Sequence, residues 1–255
     1  MVYLSLPPSE AVERVLLRGF KSVELSYDNF LSSRVRELAE LSKVADTVSR
    51  YNLESFSVHL PYDSLELGVF RLTSFISRLS KWVKVLDRVS VDFYVTHLPH
   101  LPPSRDSIDA AVRYLRKLAD IVSGSSQILV ENIASTGRLG ASPEELLAVV
   151  RNADIPRLGV CVDVGHAMIA RTSLLSFSSI LRELIKSVHL HDNDGFSDKH
   201  LLPGVGVLDV DKLMEFLAVT KPILVVAEVA CRGLSECDSV LNSIADIGLV
   251  LKRAT

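Results

Sequence analysis

Short runs of Val, Ile and Leu that alternate with longer amphipathic stretches, from one end of the chain to the other, constrain its fold more than any other feature. The runs lie at 2–6, 22–26, 55–60, 91–97, 127–132, 158–163, 187–191 and 223–228. Helical patterns fill 9–18, 31–50, 66–88, 106–123, 143–151, 174–186, 210–219 and 236–252. In 106–123, Ile108, Val112, Leu115, Leu118 and Val122 share one stripe while Arg113, Lys117 and Asp120 turn away. Ser142-Pro143-Glu144-Glu145 is a helix start: Ser caps, Pro suits the first turn, and Glu145 can reach back. Strands separated by single helices pair in parallel, because each crossover needs about a dozen residues. Eight such units in 255 residues predict an α/β fold, a single (β/α)8 barrel over residues 1–255. An open doubly wound sheet is the rival that the same local pattern supports.

Composition agrees with a buried core. The chain is 48% hydrophobic and 23% charged, and 28 basic against 31 acidic residues leave a net charge of −3. No basic block marks a nucleic-acid tail. Cys161, Cys231 and Cys237 are odd in number and lack C-x-x-C spacing, so no disulfide framework is expected and a reducing compartment is the default. The N-terminus lacks a basic region followed by a long apolar one, and no apolar stretch approaches the ~20 residues that span a bilayer. The expectation is a soluble, cytoplasmic protein with no membrane partner.

The chemistry gathers at the ends of the runs. The third to eighth runs carry His59, His97, Glu131, Asp163, His189 and Glu228, spaced 38, 34, 32, 26 and 39 residues apart. Each interval is one strand–helix unit, so a closed barrel would bring all six to one mouth. Carboxylates gathered there repel unless a cation or protons intervene, and mixed N/O donors suit Mn²⁺, Fe²⁺, Co²⁺ or Zn²⁺. His166, His191, Asp198, Lys199 and His200 lie next to this ring in sequence, and Tyr27 and Tyr62 fall just beyond two runs. Pro203-Gly204-Val205-Gly206 fits either a phosphate-cradling turn or loop geometry alone. Cys161 reads as core.

The pieces SVHLPY (57–62), ENI (131–133), VDVGHA (162–167), HLHDNDGFSDKHLLPGVGVLD (189–209) and AEV (227–229) resemble the xylose isomerase-like TIM-barrel superfamily. That superfamily joins sugar isomerases and epimerases with the endonuclease IV, or AP endonuclease 2, family. In its isomerase branch, the resemblance implies one divalent metal on Glu131, Asp163, His189 and Glu228. Glu131 and Glu228 would then exchange the substrate proton, and His166 would contact a hydroxyl. In its nuclease branch it implies three zinc ions: one on His59, His97 and Glu131, one on the quartet, and one on His166, Asp198 and His200. Zn or Mn is the metal expected. Tyr62 sits where the nucleases keep a tyrosine, whereas His191 replaces their Asn and Lys199 their Arg. Gly195 stands where the epimerases have an arginine.

On sequence, the preferred function is a divalent-metal-dependent isomerase or epimerase of a small sugar, polyol or sugar phosphate, acting through a metal-stabilised enediolate. Tyr62, His191, Lys199 and Tyr27 are its candidate substrate contacts. The alternative is a trinuclear-zinc phosphodiesterase acting on abasic-site DNA, which accounts more economically for His59, His97, Asp198 and His200. The acidic balance tells against it, since DNA enzymes draw much affinity from phosphate contacts. A non-catalytic metal-binding barrel is the minor alternative.

Overall fold

The structure is a computed structural model that describes residues 1–66, 71–122 and 124–254. Seven parallel strands form a single sheet in chain order: β1 Ser22–Leu25, β2 Ser55–His59, β3 Phe93–Thr96, β4 Gln127–Glu131, β5 Leu158–Asp163, β6 Ile185–Leu190 and β7 Leu224–Ala227. They curl into a nearly closed barrel. Among the described residues no ladder joins β7 back to β1.

The expected first strand at 2–6 is not one. Residues 2–5 form turns, Tyr3 takes a left-handed φ of 54°, and Pro7-Pro8 leads directly into helix α1 (Pro8–Leu17). Tyr3 and Leu4 are buried, so the apolar run that reads as a strand is a plug. It is tied to the loop after β7 and to the helix that follows β1: Leu4 N donates to Cys231 O at 3.0 Å and Asn29 Nδ2 to Val2 O at 3.0 Å.

The remaining helices are α2 Tyr27–Ser33, α3 Glu37–Val48, α4 Asp63–Glu66, α5 Leu72–Leu86, α6 Arg105–Ile121, α7 Pro143–Ala153, α8 Val164–Ile169, α9 Leu174–Leu181, α10 Val210–Thr220 and α11 Leu234–Ala254. The expected helix 31–50 is two, because Arg34 turns left-handed (φ 53°) and ends α2. Residues 67–70 of the expected helix 66–88, and residue 123, lie outside the described residues. α6 buries its predicted stripe: Leu115 and Leu118 are fully buried and Val112 and Val122 nearly so. Each such leucine stabilises by about 1.5–3 kcal/mol. At the start of α7, Ser142 Oγ accepts from Glu145 N at 3.3 Å, and the Glu145 carboxylate reaches back to Gly140 N (2.8 Å) and Ala141 N (3.1 Å).

Two layers of packing result. Outward strand faces meet the helices in the main core, while Phe93, Val95, Leu129 and Cys161 fill the barrel axis. The cysteines depart from expectation: a disulfide joins Cys231, in the loop after β7, to Cys237 in the first turn of α11, their Cα atoms 5.3 Å apart, and only Cys161 is free. An odd count excludes complete pairing, not one local bond. No helix among the described residues is long and apolar enough to cross a membrane.

Candidate metal centre

Parallel strands end on one face, and the residues at or just beyond those ends build a shared cluster. His59 ends β2, Glu131 ends β4 and Asp163 ends β5; His189 is the penultimate residue of β6; His97 and Glu228 follow β3 and β7 directly. Glu131 lies at the centre. Its Oε2 is 2.9 Å from His59 Nε2 and 3.2 Å from His97 Nε2. Its Oε1 is 3.2 Å from His189 Nδ1 and 3.5 Å from His166 Nδ1. His189 Nδ1 also lies 3.6 Å from Glu228 Oε2 and 4.0 Å from Asp163 Oδ2.

The loop after β6 adds the outer members. Asp198 Oδ2 is 3.2 Å from His166 Nε2 and 3.1 Å from His200 Nε2. His191 Nε2 is 3.1 Å from both oxygens of Asp163, and its ring stacks on that of His200 with centroids 4.1 Å apart. Gly165 makes room for that ring, since a Cβ there would fall 1.9 Å from His191 Cε1. Asp163 also caps α8 by accepting from His166 N at 2.5 Å, which turns His166 into the cluster.

Three imidazoles are oriented by backbone carbonyls. The Nδ1–H groups of His59, His166 and His200 donate to Leu60 O (3.2 Å), Asn132 O (2.9 Å) and Glu228 O (2.9 Å), leaving Nε2 to face the cluster. His189 is reversed: Nδ1 faces the cluster, and Nε2 meets Glu24 Oε1 of β1 at 2.8 Å. Sequence reasoning missed Glu24. It is mid-strand, one layer below the ring and in register with Ser57, whose hydroxyl donates to its Oε2 at 2.7 Å.

Electrostatics explains what the cluster requires. Burial pushes Glu131 up, but the imidazoles of His189 and His97 and hydrogen bonds from His189 and His59 outweigh it and hold the carboxyl well below its usual range. Burial likewise opposes charge on His166, yet the Asp163 charge and the Asp198 hydrogen bond raise it well above 6.5. His189 is raised despite burial by Cys161 and the carboxylates of Glu228, Glu24 and Glu131. His191, with burial opposing and Asp163 favouring its charge, rises to about 9. In the protein alone, protons on imidazole supply the positive charge that the buried carboxylates demand. A divalent cation is the other way to supply it, and the mixed N/O donors suit a transition metal.

Four groups bring one donor atom per residue within 4.8 Å of each other: His59–His97–Glu131, Glu131–Asp163–His189–Glu228, Asp163–His166–His191 and His191–His200–Glu228. The residues named from sequence as the first site and the quartet thus come together. Asp198 bridges His166 and His200 by hydrogen bonds, and these three do not form such a group.

Matching against family models assigns residues 12–245 to the model described as xylose isomerase-like TIM barrel. The chain belongs to that family. Within this xylose isomerase-like TIM barrel family, one relative is a probable endonuclease 4 of Mycoplasmopsis pulmonis, 28% identical over 159 residues, covering 58% of this chain and 57% of the relative. The chain therefore spans little more than half the length of that relative. Among solved structures, a D-tagatose 3-epimerase-like protein superposes with a TM-score of 0.74 at 21% identity, covering 96% of each chain. The IolI protein with a bound zinc atom superposes at 0.69 with 15% identity, covering 94% of this chain and 91% of its own. These likenesses show the barrel type that the family has.

The candidate substrate contacts divide. Tyr62 stacks on His97 (4.8 Å, 20°), meets His59 edge-on, and donates its hydroxyl to Asp28 at 2.7 Å, so it walls the cluster. Tyr27 lies behind Tyr62, meeting it edge-on with ring centroids 5.4 Å apart. It is buried against Phe30 and Trp82, and its hydroxyl accepts from Arg78 at 2.6 Å. Lys199 is half-exposed and paired with Asp194 at 2.8 Å on the loop. The glycine turn at 203–206 is no open anion cradle. The amides of Gly204, Gly206 and Leu208 donate to the buried Asp192 carboxylate at 2.9, 2.9 and 3.0 Å, so a carboxylate of the chain itself fills it. Cys161 is core as expected, and burial pushes its thiol up to about 12.

Proposed function

We propose that the chain is a metal-dependent phosphodiesterase acting on DNA, with an abasic site as the substrate to test first. The observation that carries this reading is how Glu131 is held. One of its oxygens faces His59 and His97 and the other faces His189, the arrangement of a carboxylate that bridges two cation seats. A Glu acting as the base of a proton-transfer enzyme needs one oxygen free to meet the substrate carbon. Here both oxygens are engaged, and the second seat has no task in a one-metal mechanism. The relative named probable endonuclease 4 supports the same direction.

When bound, the ions would supply Lewis acidity toward water and the scissile phosphate. The chain's own residues do the rest. His59, His97 and Glu131 would hold one ion; Glu131, Asp163, His189 and Glu228 a second. His166, Asp198 and His200 would gather a third if the Asp198 carboxylate withdraws from between the rings. Tyr62, stacked on His97 and edge-on to His59, would keep that pair in place. Asp198, 37% exposed, is the accessible rim where a phosphate would enter.

A second reading is a one-metal isomerase or epimerase of a small sugar, sugar phosphate or polyol. Burial favours it: His59, His97, Glu131, Asp163, His166, His189 and Glu228 are each less than a tenth exposed, as suits a small substrate. The deciding experiment pairs two assays at matched zinc or manganese loading: cleavage of duplex DNA bearing one abasic site, and exchange of the α proton of ketoses into deuterated solvent. The expected result is cleavage that is lost in both His97→Ala and Glu131→Gln. Proton exchange that survives His97→Ala, without cleavage in the wild type, overturns the proposal in favour of the second reading.

A further inference from the structure

Resting on the reading of the quartet as a metal seat, we propose that Glu24 is a positioning residue for the ion. Its carboxylate would take Nε2–H of His189 when an ion is bound, leaving the Nδ1 lone pair for that ion.

His59, His166 and His200 present Nε2 to the cluster because a backbone carbonyl takes the Nδ1–H of each. His189 presents Nδ1, with Glu131 Oε1, Glu228 Oε2 and Asp163 Oδ2 within 4.0 Å of it. Its Nε2 faces away from the cluster, where no backbone carbonyl among the described residues accepts from it. There the chain supplies Glu24, 2% exposed, with Oε1 at 2.8 Å. The contact is close but off the line of a hydrogen bond, and neither Glu24 Oε1 nor His189 Nε2 has a hydrogen-bond partner among the described residues. Two buried polar atoms left in this state are costly unless something aligns them. With an ion held by His189, the ring would be restricted in rotation and Nε2–H would be kept against the Glu24 carboxylate. A carboxylate behind a ligand imidazole also makes the imidazole a stronger donor, and losing such a partner typically costs ~10–100-fold in metal affinity. Ser57 Oγ, donating to Glu24 Oε2 at 2.7 Å, keeps the carboxylate from turning away.

The test uses the full chain stripped of metal and titrated with zinc against a chromophoric chelator. Glu24→Ala is expected to weaken the tightest zinc site about 10–100-fold. Glu24→Gln, whose amide oxygen still accepts a hydrogen bond, is expected to recover part of that loss. A merely structural Glu24 would shift the unfolding midpoint of the metal-free protein and leave zinc affinity unchanged, and that outcome overturns the proposal. Should both variants fail to fold, ¹⁵N spectra of the zinc-loaded wild type decide. His189 must carry its proton on Nε2, and a proton on Nδ1 overturns the assignment. Wild-type protein that takes up no zinc overturns this proposal and the metal reading together; zinc binding indifferent to Glu24 overturns this one alone.

Discussion

His191 is the residue whose charge state is most informative. It lies against Asp163, its ring is fully buried, and it rises from an ordinary 6.5 to about 9. A histidine raised on folding stabilises fully below its unfolded value and loses that contribution as pH climbs through the folded one. The metal-free protein should therefore lose stability between about pH 6.5 and 9. His166 and His189, also raised, add to the slope. Thermal melts with chelator present should show the fall, and His191→Asn should flatten it; an equally steep fall in that variant would count against the assignment. The same protons must leave when a cation enters, so zinc affinity should increase with pH, and calorimetry in buffers of different ionisation enthalpy should register proton release. The strand-end ligands were legible in the sequence because each terminates a Val/Ile/Leu run at a one-unit interval. Glu24 was not, because it lies inside its run, where a carboxylate reads as an outward, solvated residue.

Among the elements, the loop from β6 to α10 carries the most information. It folds around Asp192, whose carboxylate accepts from Asn193 N as well as from Gly204, Gly206 and Leu208. Gly206 approaches so closely that a Cβ would fall 2.1 Å from Asn193 O and 2.4 Å from Asp192 Oδ1. Asp192→Ala strands these amides and should cost about 3 kcal/mol in urea unfolding, the scale of hydrogen bonds to a buried charge. It should also weaken the site, because Asp198 and His200 ride on the same loop. In the facing helix α8, Gly165→Ala should cost about 1–3 kcal/mol by driving a methyl into the His191 ring. In a His191→Ala background that cost should largely vanish, and a double-mutant cycle that finds the two changes additive would contradict the packing. The sequence marks this loop as special through its glycines and carboxylates, but leaves the turn open between an external phosphate and loop geometry alone. Periodicity cannot reveal that an anion from the same chain occupies it.

Over the whole molecule, the barrel was legible because seven strand–helix units repeat with a regular pattern, and the first apolar run, at 2–6, misled because burial alone does not make a strand. Metal should stabilise the molecule as any ligand of the native state does, by about 2.7 kcal/mol at a hundredfold excess over Kd. Elemental analysis of protein purified without chelator should find zinc or manganese at more than one equivalent per chain; a single equivalent would favour the one-metal reading. The gap between β7 and β1 has a mechanical consequence. A ring that lacks one ladder has a seam, and such a seam yields first to thermal motion. Glu24 stands on one lip, Glu228 just past the other, and His189 touches both. An ion seated on His189 and Glu228, with Glu24 behind, would act as a stitch across that seam. Amide hydrogens of β1 and β7 should then exchange fastest of all the strands in stripped protein and slow most when metal is restored.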